Sequence, residues 1–216
     1  LTETLKQLFP DGSVPSEQIR IQAVPCVGRC QHAPVAVVGK NPVDQATPEL
    51  VKKHVEKNEV LPTLPEYVNF AEYQQSGGYQ LFQDCLSGKR DAESVITELK
   101  NSGLRGLGGA GFPVGSKWEI VRKFPEPRLM AVNIDEGEPG TFKDRYYLES
   151  DPHRFLEGSL IAAWAVGIEE IYIYLRDEYA AAREILLREI AELQISFPEI
   201  LPQIHLRRGA GAYICG

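Results

Sequence analysis

The 216-residue chain is 43% hydrophobic and 25% charged, an ordinary balance for a soluble globular protein of one or two domains. A net charge of −7 argues against general nucleic-acid binding, which needs a basic face, and no apolar run approaches the length of a membrane span. Leu1–Pro10 lacks the basic-then-apolar layout of a secretory leader, and four cysteines, two of them close together, read as intracellular and ligand-like, which places the chain in the cytoplasm.

In chain order, Ile19–Val24 alternates like a half-buried strand, and Pro34–Val38 reads as a second. Pro48–Lys57 predicts a helix, with Leu50, Val51, His54 and Val55 on one side. Leu61–Pro65, with two prolines, reads as a linker, and 66–90 as helix plus loop. Asp91–Asn101 has helical spacing, with Asp91 as its cap and Gly103 as its stop, and a further helix is expected from about Ser116. Leu129–Ile134 is a buried-strand candidate. Leu156–Val166 and Glu178–Leu193 are predicted helices around a Tyr172–Leu175 strand, and Ile204–Leu206 offers one more strand. In that stretch Tyr172 and Tyr174 are read as core packing. Strands alternating with helices make the fold class α/β. The chain begins without Met and stops at Gly216 inside a Gly-rich run, so it reads as a fragment of a longer polypeptide.

Three segments carry chemistry. In Gly103–Pro113, six of eleven residues are Gly or Pro. Bare backbone N–H groups of this kind wrap a phosphate or lie against a flat ring. Gly106, Gly108 and Gly111 formally satisfy G-x-G-x-x-G, but a predicted helix precedes them where the dinucleotide fingerprint needs a strand; the Walker spacing also fails. The bland alternative is a flexible surface loop, yet Phe112, Pro113 and Trp118 point to a packed one, and a nucleotide or flavin cradle is expected. The second segment, Asn133–Gly140, sets Asp135, Glu136 and Glu138 directly after an apolar strand. It is either a solvated acidic turn or an acceptor-rich loop for sugar hydroxyls at a strand's carboxyl end. The third is Cys26–Cys30, whose C-x-x-x-C offers half of an iron–sulfur site; zinc is the nearest rival, although neither His32 nor Cys85 stands at a convincing spacing. Cys85 and Cys215 are read as structural. His153 and Arg154 are open to an anion, but a helix start at Asp151 explains them more simply.

Gly103–Trp118, Asn133–Tyr146 and Arg208–Gly216 together resemble three blocks of the NADH-oxidising flavoprotein subunit of respiratory complex I and of its diaphorase relatives in NAD-reducing hydrogenases and soluble formate dehydrogenases. Residues 1–58 resemble the second half of a thioredoxin-like [2Fe-2S] module. The resemblance implies a partial ferredoxin module over 1–60, linker and helices over 61–100, and the start of a Rossmann-like, non-standard FMN/NAD(H)-binding α/β domain over 101–216. It implies FMN contacts from Gly106, Gly108, Gly109, Lys117, Asn133, Asp135, Glu136 and Gly216, and NAD(H) contacts from Phe112, Glu138 and Tyr213. Cys26 and Cys30 would hold a [2Fe-2S] cluster with two further ligands expected before Leu1, and [4Fe-4S] ligands are expected beyond Gly216. Leu107 stands where the family usually has Arg, and Ile120 where some members have an aromatic. The wording Ala131–Gly137 looks closest to formate dehydrogenase β subunits. That implies a molybdenum- or tungsten-dependent catalytic partner whose electrons reach NAD⁺ through FMN. Complex I and hydrogenase branches are the alternatives, with a non-catalytic scaffold that has lost flavin as a third.

Overall fold

The computed structural model describes residues 2–8, 19–107, 109–198 and 200–216. Over these residues the chain runs α1 (Thr2–Leu8), β1 (Ala36–Val38), β2 (Asn41–Val43), α2 (Pro48–Glu56), α3 (Phe70–Gln75), α4 (Gln80–Leu86), α5 (Ala92–Asn101) and α6 (Val114–Arg122). It continues through β3 (Leu129–Ile134), α7 (Lys143–Ser150), α8 (Pro152–Val166), β4 (Glu170–Leu175), α9 (Ala180–Ser196) and β5 (Gln203–Arg208). Several helix starts follow from their caps. Thr47, Asp91 and Asp151 each accept a backbone N–H at the first turn, and Asn69 with Glu72 forms a reciprocal capping box.

Two apolar clusters form. Leu5, Val38, Val43, Ala46 and Val51 gather around the antiparallel β1–β2 hairpin and α2. The larger core lies under a three-stranded parallel sheet of order β3-β4-β5, whose crossovers are α7–α8 and α9. In β4 the side chains alternate: Ile171, Ile173 and Leu175 are fully buried against Leu160 of α8 and Leu186 of α9. Each such side chain contributes roughly 1.5–3 kcal/mol through burial. Tyr73, Tyr79 and Phe82, from 66–90, join the same core. Two buried carboxylates tie them there. Glu157 accepts from the Tyr73 hydroxyl at 2.7 Å and the Tyr79 N–H at 3.0 Å, and Glu189 bonds Tyr67 at 2.7 Å and His153 at 2.8 Å.

Three sequence expectations need correction. Ile19–Val24 has no strand partner among the described residues; Ile21 packs on the smaller core while Val24 is exposed. Leu129–Ile134 is a strand but sits at the sheet edge, so only Ile134 is fully buried. Tyr172 and Tyr174 lie on the face opposite the core, where Tyr172 stacks on His205 at 4.4 Å and Tyr174 accepts from the Ala210 N–H. The helix start read at Asp151 is present, since Asp151 caps α8, and His153 is fully buried in that helix, its ring bonding Tyr79 and the Glu189 carboxylate, with burial pushing its pKa down.

Candidate functional site

At the carboxyl ends of β3, β4 and β5 the chain turns away from the sheet three times, leaving a cavity of about 270 Å³. It is lined by Asp135 and Gly137 after β3, Arg176 and Glu178 after β4, and Gly211 to Tyr213 after β5, with Pro25 and Cys26 completing the wall. Ligands of parallel α/β sheets bind at these strand ends because the loops leave the sheet there.

Asn133 opens the acidic loop by accepting the Asp135 N–H at 3.0 Å, and the Asp135 carbonyl accepts the Gly137 N–H at 2.8 Å. The Asp135 carboxylate has one buried oxygen, Oδ2, with no partner among the described residues. Burial, with Glu178 adding repulsion, raises its pKa above the usual carboxylate value. Gly216 lies flush against this loop: a Cβ there would stand 2.5 Å from the Asp135 carbonyl oxygen. Tyr213 donates to Glu138 at 2.7 Å, so two residues assigned to one ligand by resemblance meet.

Glu136 is differently employed. Its carboxylate is buried and accepts the Asp144 N–H at 3.1 Å, the Arg145 N–H at 3.4 Å and the Tyr179 hydroxyl at 2.9 Å. It therefore closes the start of α7, as a carboxylate does favourably at a helix N-terminus.

The glycine-rich loop is a narrow hairpin. Gly106 N–H donates to the Phe112 carbonyl, Val114 N–H to the Leu104 carbonyl, both at 2.9 Å, and Arg105 caps the Gly111 carbonyl at 3.0 Å. Around Gly103, Gly109 and Gly111 a Cβ would meet nothing within 4 Å, and the Gly103 N–H is taken by the Lys100 carbonyl at 3.2 Å. Gly108 lies outside the described residues. α5 precedes this loop, as expected, and α6 follows it, packed so tightly on α5 that a Cβ on Gly115 would stand 2.7 Å from the Lys100 nitrogen. Lys117, in the first turns of α6, makes no ion pair among the described residues, while Phe112 is about half exposed.

Cys26 and Cys30 bring their sulfurs to 3.5 Å, and the Gly28 N–H, donated to Cys26 Sγ at 3.4 Å, holds that thiol below its ordinary range with help from Arg176. No cluster of three metal-ligating side chains occurs among the described residues. Cys85 is buried in α4 and Cys215 half-buried in a short 3₁₀ turn, Tyr213–Cys215.

Sequence reasoning missed Arg145, Arg176 and Tyr179, which join these loops. Arg176 immediately follows the predicted Tyr172–Leu175 strand, so the strand-end rule applied to β3 would also have marked it.

The residues present suit a flavin and a dinucleotide. An unpartnered buried carboxylate oxygen seeks hydroxyl donors, the unshielded backbone at Gly109 and Gly111 and an unpaired lysine seek phosphate, and the half-exposed Phe112 offers a face for stacking. Fold and site define a nucleotide- or flavin-binding α/β protein. Residues 99–216 match the Nuo51 FMN-binding domain family, and the chain belongs to it.

It is 41% identical over 162 residues to the second of the NADH-quinone oxidoreductase F subunits of Rhizobium meliloti (strain 1021), covering 71% of this chain and 38% of that one. Against the NADH-quinone oxidoreductase F subunit of Aquifex aeolicus (strain VF5) it is 44% identical over 160 residues, covering 70% and 37%. The solved NAD⁺-reducing [NiFe]-hydrogenase in its H₂-reduced state is similar over 99% of this chain and 41% of the other, at a TM-score of 0.75 and 26% identity. The chain thus spans about two fifths of the length of these relatives.

Proposed function

We propose that the chain is part of a diaphorase subunit that moves electrons between NAD(H) and iron–sulfur clusters through FMN. The observation that carries this reading is the unpartnered, buried Asp135 oxygen at the strand-end cavity, in a chain whose residues 99–216 belong to the FMN-binding family. FMN, when bound, supplies the conversion between two-electron hydride chemistry and one-electron transfer. The residues bind and orient. Asp135 and Asn133 accept hydroxyls of the ribityl chain, the Gly106, Gly108, Gly109 and Gly216 backbones permit close approach, and Lys117 neutralises phosphate. Glu136 acts by fixing the loop that carries Asp135. Phe112 would offer its ring to the adenine of NAD(H), Glu138 would contact the dinucleotide, and Tyr213, held by Glu138, would serve the nicotinamide end. No side chain needs to act as acid or base.

The two thiols of Cys26 and Cys30 fit half the ligand set of a [2Fe-2S] cluster. In this reading 1–60 belong to the ferredoxin-like module, 61–100 connect it, and 101–216 begin the flavin domain; [4Fe-4S] ligands belong to the rest of the protein. The Ala131–Gly137 wording favours electrons from formate, oxidised on a molybdenum- or tungsten-dependent partner in the cytoplasm. Similarity to NADH-quinone oxidoreductase and hydrogenase proteins favours those branches as second readings. No helix of the described residues is long and apolar enough to cross a membrane.

The test is an absorbance spectrum of the full-length protein, followed by anaerobic NADH titration. A flavin band that bleaches is expected. A colourless protein without NADH-dependent dye reduction overturns the reading in favour of a flavin-free scaffold. Formate, hydrogen or quinone added to the whole complex then identifies the electron partner.

A further inference from the structure

The cavity at the strand ends is not made by the sheet's own loops alone, since Pro25 and Cys26 form part of its wall beside Asp135, Gly137 and Tyr213. Three buried side chains fasten that wall. The Arg176 guanidinium spans two loops: Nη2 donates to the Cys26 carbonyl and Nη1 to the Glu136 carbonyl, the latter at 2.6 Å. Arg145 donates from Nε to the Gly28 carbonyl at 3.0 Å, while its backbone N–H is held by the Glu136 carboxylate. Gly28, at φ +70°, approaches Tyr179 so closely that a Cβ would stand 2.6 Å from the ring, and the Tyr179 hydroxyl donates to Glu136. All three fastenings converge on Glu136, the neighbour of Asp135. Along the same edge Lys40 reaches Asp177 at 3.1 Å, and Asp177 accepts from Arg208 at 2.6 Å.

We propose that Arg176 is a positioning residue that holds the Cys26–Cys30 loop as one wall of the flavin cavity. The inference rests on the flavin reading above and goes beyond it by joining two sites that the sequence presents separately. Both guanidinium bonds to the loops end on backbone carbonyls, so they fix where the cysteine loop sits independently of what its sulfurs carry. A planar fork spans two carbonyls in fixed geometry, which a lysine ammonium does not. Order in the cysteine loop and affinity for FMN are then linked, and whatever loosens one weakens the other.

The experiment compares the full-length protein with its Arg176→Gln, Arg176→Lys and Gly28→Ala variants. One readout is amide hydrogen exchange at residues 27–30 in flavin-free protein; the other is FMN affinity from flavin fluorescence. Arg176→Gln is expected to speed exchange in the loop roughly tenfold to hundredfold, the scale set by hydrogen bonds from a charged donor, and to weaken FMN by about tenfold. Arg176→Lys recovers part of both. Gly28→Ala disturbs the cysteine loop at a different fastening, where it meets Arg145 and Tyr179, and is expected to weaken FMN in the same direction, although Gly28 does not line the cavity. Exchange that rises evenly over the whole chain while FMN affinity stays at the wild-type value marks a general structural role and overturns the proposal. Wild-type loop exchange in the Arg176→Gln protein also overturns it, and if that variant does not fold, wild-type loop exchange and FMN affinity in Arg176→Lys do so. Failure of the wild-type protein to bind FMN sinks the flavin reading, while the exchange readout still decides whether Arg176 fastens the loop.

Discussion

The acidic loop, Asn133–Gly140, lines the strand-end cavity and the glycine-rich loop, Gly103–Pro113, does not, and the two are held in different ways. The acidic loop is gripped by side chains and amides from the end of β4, the start of α7 and the residue before α9, all meeting at Glu136. The glycine-rich loop is closed by backbone bonds at its base and one Arg105 contact, and its tip meets nothing near its missing Cβ atoms. The first is built before any ligand arrives, whereas the second has its shape at the base and its bonding capacity left open at the tip. Acceptors need a fixed position because an uncompensated buried carboxylate is costly. Amide donors at an exposed tip bear no such cost, since water serves them until phosphate does.

Substitutions test this contrast. The largest effect is expected from Glu136→Ala, which strips the buried Tyr179 hydroxyl and two amides of their acceptor; a loss of about 2–4 kcal/mol should appear as a lowered urea midpoint. Lys117→Ala should do the opposite, leaving folding stability within about 0.5 kcal/mol while weakening FMN tenfold or more by titration. If Lys117→Ala instead destabilised the fold, the open side of the comparison would be wrong. Tyr179→Phe removes a single bond to Glu136 and should cost about 1 kcal/mol in the same unfolding assay.

Asp135→Asn is expected to have the smallest effect and the one most dependent on pH. Because the folded-state pKa of Asp135 is raised, the native state binds the proton more tightly than the unfolded chain, and ionisation destabilises the fold at higher pH. That penalty disappears as pH falls through the folded value toward the unfolded value of about 3.9. The asparagine variant should therefore be slightly more stable than wild type at pH 7, with the difference gone by about pH 4. The same change should weaken FMN, making Asp135 a residue kept for binding at the expense of stability.

How much of this was legible in the sequence depended on the range of the forces involved. The helices of α5 and α8 were readable because their caps, Asp91 and Asp151, act three residues away. The β4 segment was readable from its alternation, although alternation did not say which face met the core, and Tyr172 and Tyr174 went to the other one. β2 was hidden because Pro42 and a preceding Asn look like a turn, and α7 because its start is closed by Glu136 from outside the helix. In the site, the Asp135 oxygen and the Glu138–Tyr213 pair were foreseeable as residues, not as contacts. Arg176 bonds a carbonyl 150 residues away in sequence, and Arg145 one 117 residues away, and no local pattern encodes such partners.

The close seat of Gly216 against the Asp135 backbone has a consequence for biogenesis. The acidic loop has its final floor only when the segment after β5 has arrived, and that segment arrives only when β5 has paired with β4. A nascent chain halted before β5 would thus have most of its hydrophobic core but no finished pocket. Binding at this pocket is then expected only of polypeptides that carry β5 and the turn after it.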